Sequence, residues 1–134
     1  MSEQENVQRV QGVYAAFGRG DIPAFMDALS DDVEWIIPGP ADLPFVGTFH
    51  GKAGVQEWLG KTMEHLQFRA LEPREFIAQG DNVAVLLHAE LTITRTGREV
   101  SAAEVHLWTL RDGKVVRQQS FEDTAAFADA YRGR

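Results

Sequence analysis

Glu104 and His106 are the residue pair in this sequence best suited to chemistry. They stand two apart in a run, 98 to 111, whose alternation predicts a β-strand. Side chains alternate across a strand, so Glu104, His106, Trp108 and Leu110 share one face, and Val105, Leu107 and Thr109 share the other. That spacing puts the Cα atoms of the carboxylate and the imidazole roughly 6 to 7 Å apart. A carboxylate at such range orients an imidazole and tunes it as a general acid or base. A second strand, Lys114 to Phe121, follows through the turn Asp112-Gly113, and Glu122 at its end can approach the pair from the neighbouring strand. His106 is therefore the candidate acid or base, with Glu104 and Glu122 as the candidate catalytic carboxylates. The competing role is structural: a partly buried Glu and His satisfy each other's hydrogen bonds and do no chemistry.

Other chemistries find little footing. The sequence has no cysteine, which removes disulfides, thiolate nucleophiles and cysteine-ligated zinc. His50, His65, His88 and His106 form no HxH or HxxxH pair, so no metal site is expected. Gly18, Gly20 and Gly51 punctuate helices without a phosphate-loop pattern, and no GxSxG elbow occurs. No cofactor is implied. Thirteen basic against twenty acidic residues give a net charge of −7 with no basic run, which argues against nucleic acid and anionic membrane as partners. The acidic, polar start Met1-Ser2-Glu3-Gln4-Glu5-Asn6 and the lack of any long apolar stretch point to a cytoplasmic protein. A length of 134 residues suits one domain, 1–134, with one modest core.

The elements that must position the pair follow from periodicity. Val7, Val10, Tyr14 and Phe17 recur at helical spacing from Glu3 to Arg19, and Asp21 caps a short second helix through Ile22, Phe25, Met26 and Leu29. Val33–Ile37 reads as a strand stopped by Pro38-Gly39-Pro40, and a loop runs on to Gly51. Val55, Trp58, Leu59, Thr62 and Leu66 mark a third helix over 52–66. The period then changes to two. Strands at 68–79, 82–95, 98–111 and 114–121 are separated by the two-residue turns Gly80-Asp81, Thr96-Gly97 and Asp112-Gly113. Asp123-Thr124 can cap a terminal helix carrying Phe127 and Tyr131.

Asp21-Ile22, Ser30-Asp31-Asp32-Val33-Glu34-Trp35 and Thr109-Leu110-Arg111-Asp112-Gly113-Lys114-Val115-Val116 resemble the SnoaL-like and ketosteroid-isomerase-related families of the nuclear-transport-factor-2-like superfamily. The resemblance covers nearly the whole chain. It implies an α+β, cone-shaped fold in which N-terminal helices pack on a strongly curved antiparallel sheet and enclose a pocket. Steroid isomerases of that family use an Asp base, a tyrosine of the first helix and a protonated Asp of a late strand. Carried onto this sequence, those positions fall on Ile37, Val13 and His106, with Tyr14 one residue off register and so rotated about 100° around its helix. Steroid isomerisation by that mechanism is therefore not expected.

The resemblance also implies which faces look inward: the His106 face of its strand, the face of Leu87, Ala89, Leu91 and Ile93, and that of Gln118, Ser120 and Glu122. Trp35, Val13, Phe17, Phe25, Ile37 and Trp58 complete the wall, with Trp108 beside His106 and the Tyr14 hydroxyl within reach. The outward face, with His88, Glu90, Thr92, Val105, Leu107 and Thr109, is where a second copy is expected to pack as a homodimer. Two functions are compatible with such a pocket. One is cofactor-independent isomerisation, cyclisation, dehydration or hydrolysis of a small apolar molecule. The other is a non-catalytic hydrophobic-ligand-binding or dimeric partner protein.

Overall fold

The computed structural model describes residues 1–134 as four helices and six strands. Helix α1 (Glu3–Gly18) starts at Ser2, whose hydroxyl accepts from the Glu5 backbone while the Glu5 carboxylate returns a bond to Ser2, a complete capping box. Its inward stripe is Asn6, Val10, Val13 and Ala16. Asp21 caps α2 (Ile22–Asp27), which buries Phe25 and Met26. Strand β1 (Leu29–Ile37) and the short β2 (Gly47–His50) precede α3 (Gly51–His65). The chain then winds through β3 (Leu66–Gln79), β4 (Asn82–Ile93), β5 (Glu99–Arg111) and β6 (Lys114–Phe121), and ends in α4 (Thr124–Arg132), capped by Asp123.

The six strands form one open sheet in the order β2-β1-β6-β5-β4-β3. Register shifts in β3 between Phe68 and Ala70 and between Pro73 and Glu75, and another between Thr109 and Leu110, bend it. Helices lie on the concave side, so the α+β class and the curved sheet expected from the resemblance are both present. Along β4 the odd residues Val83, Val85, Leu87, Ala89, Leu91 and Ile93 are all buried, which fixes the concave face.

Three local expectations are corrected. The sheet is mixed, because β1 runs parallel to β6. Strand β1 begins at Leu29, not Val33: Leu29 already pairs with Val115, and Ser30-Asp31-Asp32 occupy the irregular stretch before pairing resumes at Glu34. The turn between β4 and β5 spans five residues, 94–98, not two. Ile93 accepts from Gly97 and donates to Arg98, while Thr96 and Arg98 bond the carbonyls of Ala130, Gly133 and Arg134, so the C-terminal helix dictates the turn. Strand β2 was hidden in the loop because only four residues pair, against β1.

The interior has two apolar clusters. The larger joins α1, α2, α3, β1, the Val83–Ala89 part of β4 and the Trp108–Leu110 end of β5; the smaller joins Leu43 and Phe45 of the 38–46 loop to Leu91, Ile93 and the inner face of α4. The loop is held down at its tip by Asp42, whose carboxylate takes two bonds from the Arg132 guanidinium at 2.7 and 3.0 Å. No helix is long and apolar enough to cross a membrane.

Candidate functional site

A cavity lies at the junction of the two clusters, bounded by α1, α3, β1, β5, β6 and Phe127 of α4. It holds about 80 Å³ of free space, room for several water-sized groups. Its wall is largely aromatic: Tyr14, Phe17, Phe25, Trp35, Phe45, Trp58, Phe68, Trp108 and Phe127 all contribute. The chain's three tryptophans line it together, Trp35 packing at 5.2 Å from Trp58 and 5.6 Å from Trp108 between ring centroids.

The polar groups are carried as a ladder on two adjacent strands. Gln118 pairs with Trp108 and Ser120 with His106, which leaves Glu122 beyond the last rung, towards Glu104. Such rungs are roughly 6 to 7 Å apart. Within the ladder, Nδ1 of His106 lies 2.6 Å from the Tyr14 hydroxyl and Nε2 lies 3.2 Å from Oε1 of Glu104. The indole N–H of Trp108 donates to the same Tyr14 oxygen at 3.1 Å. Burial holds the Tyr14 pKa above its ordinary value; the Trp108 bond opposes this and the Glu104 charge adds to it. The phenol therefore keeps its proton. Its oxygen, with two lone pairs, accepts from Trp108; a neutral imidazole that accepts the phenol O–H at Nδ1 carries its own proton on Nε2, facing Glu104.

Glu122 is the second carboxyl of the site. Burial first, and the negative charge of Glu104 second, push its pKa from 4.5 up to about 8. The shift favours the protonated form of Glu122. Further along the ladder Gln118, 1% exposed, donates to the Ser120 hydroxyl at 2.8 Å.

The structure thus gathers Glu104, His106, Glu122, Tyr14, Val13, Phe17, Trp35, Ile37, Trp58, Trp108, Gln118 and Ser120 around one cavity. Leu87 and Ala89 are different. Both point to the concave side, but they are packed into the larger cluster and do not line the cavity. Residues that sequence reasoning did not assign to the wall are Phe45, Thr62, Leu66, Phe68, Leu71 and Phe127. Thr62 carried a signal, since it follows Trp58 by four residues on the α3 stripe; Phe45, in an aperiodic loop, carried none. His50, His65 and His88 lie away from the cavity, and His88 meets Ser101 on the other side of the sheet.

An α+β fold whose helices close a curved sheet over an aromatic cavity defines a pocket protein of the NTF2-like class. Comparison with known proteins identifies the family. The SnoaL-like domain matches residues 10–118, and the chain belongs to the SnoaL-like family. Among solved structures it is similar to an NTF2-like protein of Burkholderia xenovorans, at 39% identity over 98% of both chains and a TM-score of 0.89. It is similar too to TerC, co-crystallised with polyporic acid, at 37% identity over 96% of this chain and 98% of TerC, with a TM-score of 0.87. An uncharacterised protein of Mycobacterium tuberculosis strain H37Rv is 25% identical over 98% of both chains.

Proposed function

We propose that this chain binds a small, mainly aromatic organic molecule in the cavity and performs cofactor-independent acid–base chemistry on it. The observation that carries the reading is the position of His106, hydrogen-bonded to Tyr14 on one side and to Glu104 on the other, with the Glu122 carboxyl lining the same cavity. An imidazole and a carboxyl whose proton is held by burial then line one mostly apolar space, an arrangement suited to proton transfer. Glu104 orients His106 and stabilises positive charge on it when Nδ1 takes up a proton, a step in which the Tyr14 hydroxyl turns from donor to acceptor; the Tyr14 ring lies within 5° of the imidazole plane. Isomerisation, cyclisation, dehydration and hydrolysis are all open to such a pair. The aromatic wall supports an aromatic ligand, and the similarity to TerC makes polyporic acid a natural first probe.

Thermal shift against a panel of polyporic acid, smaller hydroxylated aromatics, steroids and terpene epoxides tests the reading, because a ligand that binds only the native state raises its stability. Stabilisation by an aromatic member that is lost in His106→Ala is the expected result. A panel without effect would favour the alternative of a partner protein without a small-molecule site.

We also propose that the chain pairs with a second copy through the convex sheet face. Leu86, Val105 and Phe121 lie in one row across β4, β5 and β6 there, with Leu86 and Phe121 among the exposed large apolar side chains. Val105 and Leu107 themselves are half-buried, so Leu86 and Phe121 supply most of the exposed apolar surface of this row.

A further inference from the structure

Four buried side-chain polar atoms have no hydrogen-bond partner within the protein, and three of them belong to residues that line the cavity: Trp35 Nε1, Thr62 Oγ1 and Gln118 Oε1. The residues are 3%, 1% and 1% exposed, so bulk water does not answer them. Buried polar groups in folded proteins are satisfied almost without exception, and a cluster of exceptions at one cavity calls for an explanation there. Local structure offers none. Thr62 sits inside α3, where a threonine hydroxyl ordinarily bonds the carbonyl four residues back, yet it does not. Gln118 lies between Trp35 and Trp108 on adjoining strands and spends its amide N–H on Ser120, leaving the oxygen free.

We propose that Trp35, Thr62 and Gln118 form a subsite that reads a hydroxyl on the ligand's ring, a phenol or the enol of a hydroxyquinone. This rests on the reading above that the cavity takes a small aromatic molecule, and it adds the group that molecule must carry. The donor and acceptor inventory selects the group. Trp35 offers only a donor, Gln118 as placed offers an acceptor, and Thr62 offers either. A ketone or ether oxygen can accept from Trp35 but gives Gln118 nothing. A hydroxyl accepts from Trp35 and donates to Gln118 through one atom, with the Gln118 amide held by its bond to Ser120. The subsite is separate in chemistry from the Glu104–His106 end of the ladder: it binds and orients, while proton transfer is left to the other end.

The test compares three probes of equal ring size, 2-naphthol, 2-methoxynaphthalene and naphthalene, by calorimetric titration of the full-length protein and its Thr62→Val and Gln118→Leu variants. The wild type should bind 2-naphthol about tenfold or more tighter than either of the others, since a site built around a hydroxyl penalises its loss. Each variant should lose most of that preference while holding naphthalene within about threefold of wild type. Thr62→Val removes an unpartnered buried hydroxyl at constant shape and so keeps the fold even if Gln118→Leu does not. Binding of naphthalene and 2-naphthol with equal affinity by the wild type overturns the subsite and leaves the aromatic pocket standing. A preference retained in both variants overturns it as well. If none of the three probes binds, the aromatic reading fails and this inference falls with it.

Discussion

The Tyr14 hydroxyl is the hinge of the site: it accepts the Trp108 indole N–H at 3.1 Å and is hydrogen-bonded to His106 Nδ1 at 2.6 Å. Removing it in Tyr14→Phe strands a buried indole donor and one imidazole nitrogen. The expected cost is about 1 to 3 kcal/mol for the unpaired groups, read as a lower midpoint in denaturant unfolding with an unchanged slope. An unchanged midpoint would show that the hydroxyl is not bridging the two rings.

The same geometry predicts a tautomer. Nitrogen-15 spectra of the imidazoles should show His106 with Nδ1 unprotonated and Nε2 protonated, and Tyr14→Phe together with Glu104→Gln, which removes both partners, should release that preference. A His106 that shows the opposite tautomer in the wild type would contradict the direction of the Tyr14 bond.

Glu122 ties stability to pH. Its folded-state pKa is raised above the unfolded value, so the folded chain holds a proton that the unfolded chain has released between about pH 4.5 and 8. Stability is therefore highest below that window and falls as pH rises through it. The melting temperature should drop from pH 5 to pH 8 after other titrations are subtracted, and Glu122→Gln should flatten the slope. Glu104→Gln removes the second cause and leaves the first, so it should lower the Glu122 pKa only part of the way to 4.5. A Glu122 that titrates near 4.5 in the wild type would refute this account of its surroundings.

Turn chemistry gives a stability prediction away from the site. Asp112 and Gly113 both take positive φ, 52° and 78°, in the two-residue turn between β5 and β6. Gly113→Ala should destabilise by about 1 kcal/mol or more, since a Cβ is strained at that φ, while the space beside it, bounded by the Arg9 guanidinium at 3.4 Å, would admit the methyl. Thermal melting checks it.

The convex row predicts an association. Size-exclusion with light scattering should give twice the 14.9 kDa chain mass, and Phe121→Ser with Leu86→Ser should shift it towards the monomer. A wild type that runs as a monomer at all concentrations rules the dimer out.

The fold was legible where one physical signal decides the outcome. Alternation in β4 places its odd residues inside, caps at Asp21 and Asp123 start their helices, and Asp112-Gly113 makes the hairpin that sets Glu104 and His106 beside Ser120 and Glu122. What was not legible depends on contacts distant in sequence. The parallel pairing of β1 with β6 has no local signature, and the length of the 94–98 turn is set by carbonyls of α4 some 35 residues away. At the site, residue types and strand faces pointed to His106 and Glu104, but the role of Tyr14 needed three dimensions. One residue off the family's tyrosine position, its side chain still spans from the helix to the imidazole. Leu87 and Ala89 show the converse: a concave-facing register does not make a residue pocket wall when the core covers it.

The most direct measurement of the central claim uses the three cavity tryptophans as reporters. Titrating polyporic acid into the wild type and into His106→Ala while following intrinsic fluorescence reads binding at the cavity itself. Saturable quenching in the wild type, with affinity at least about tenfold weaker in His106→Ala, is the predicted result. Quenching that never saturates, or that saturates identically in both proteins, would contradict a ligand site built around His106.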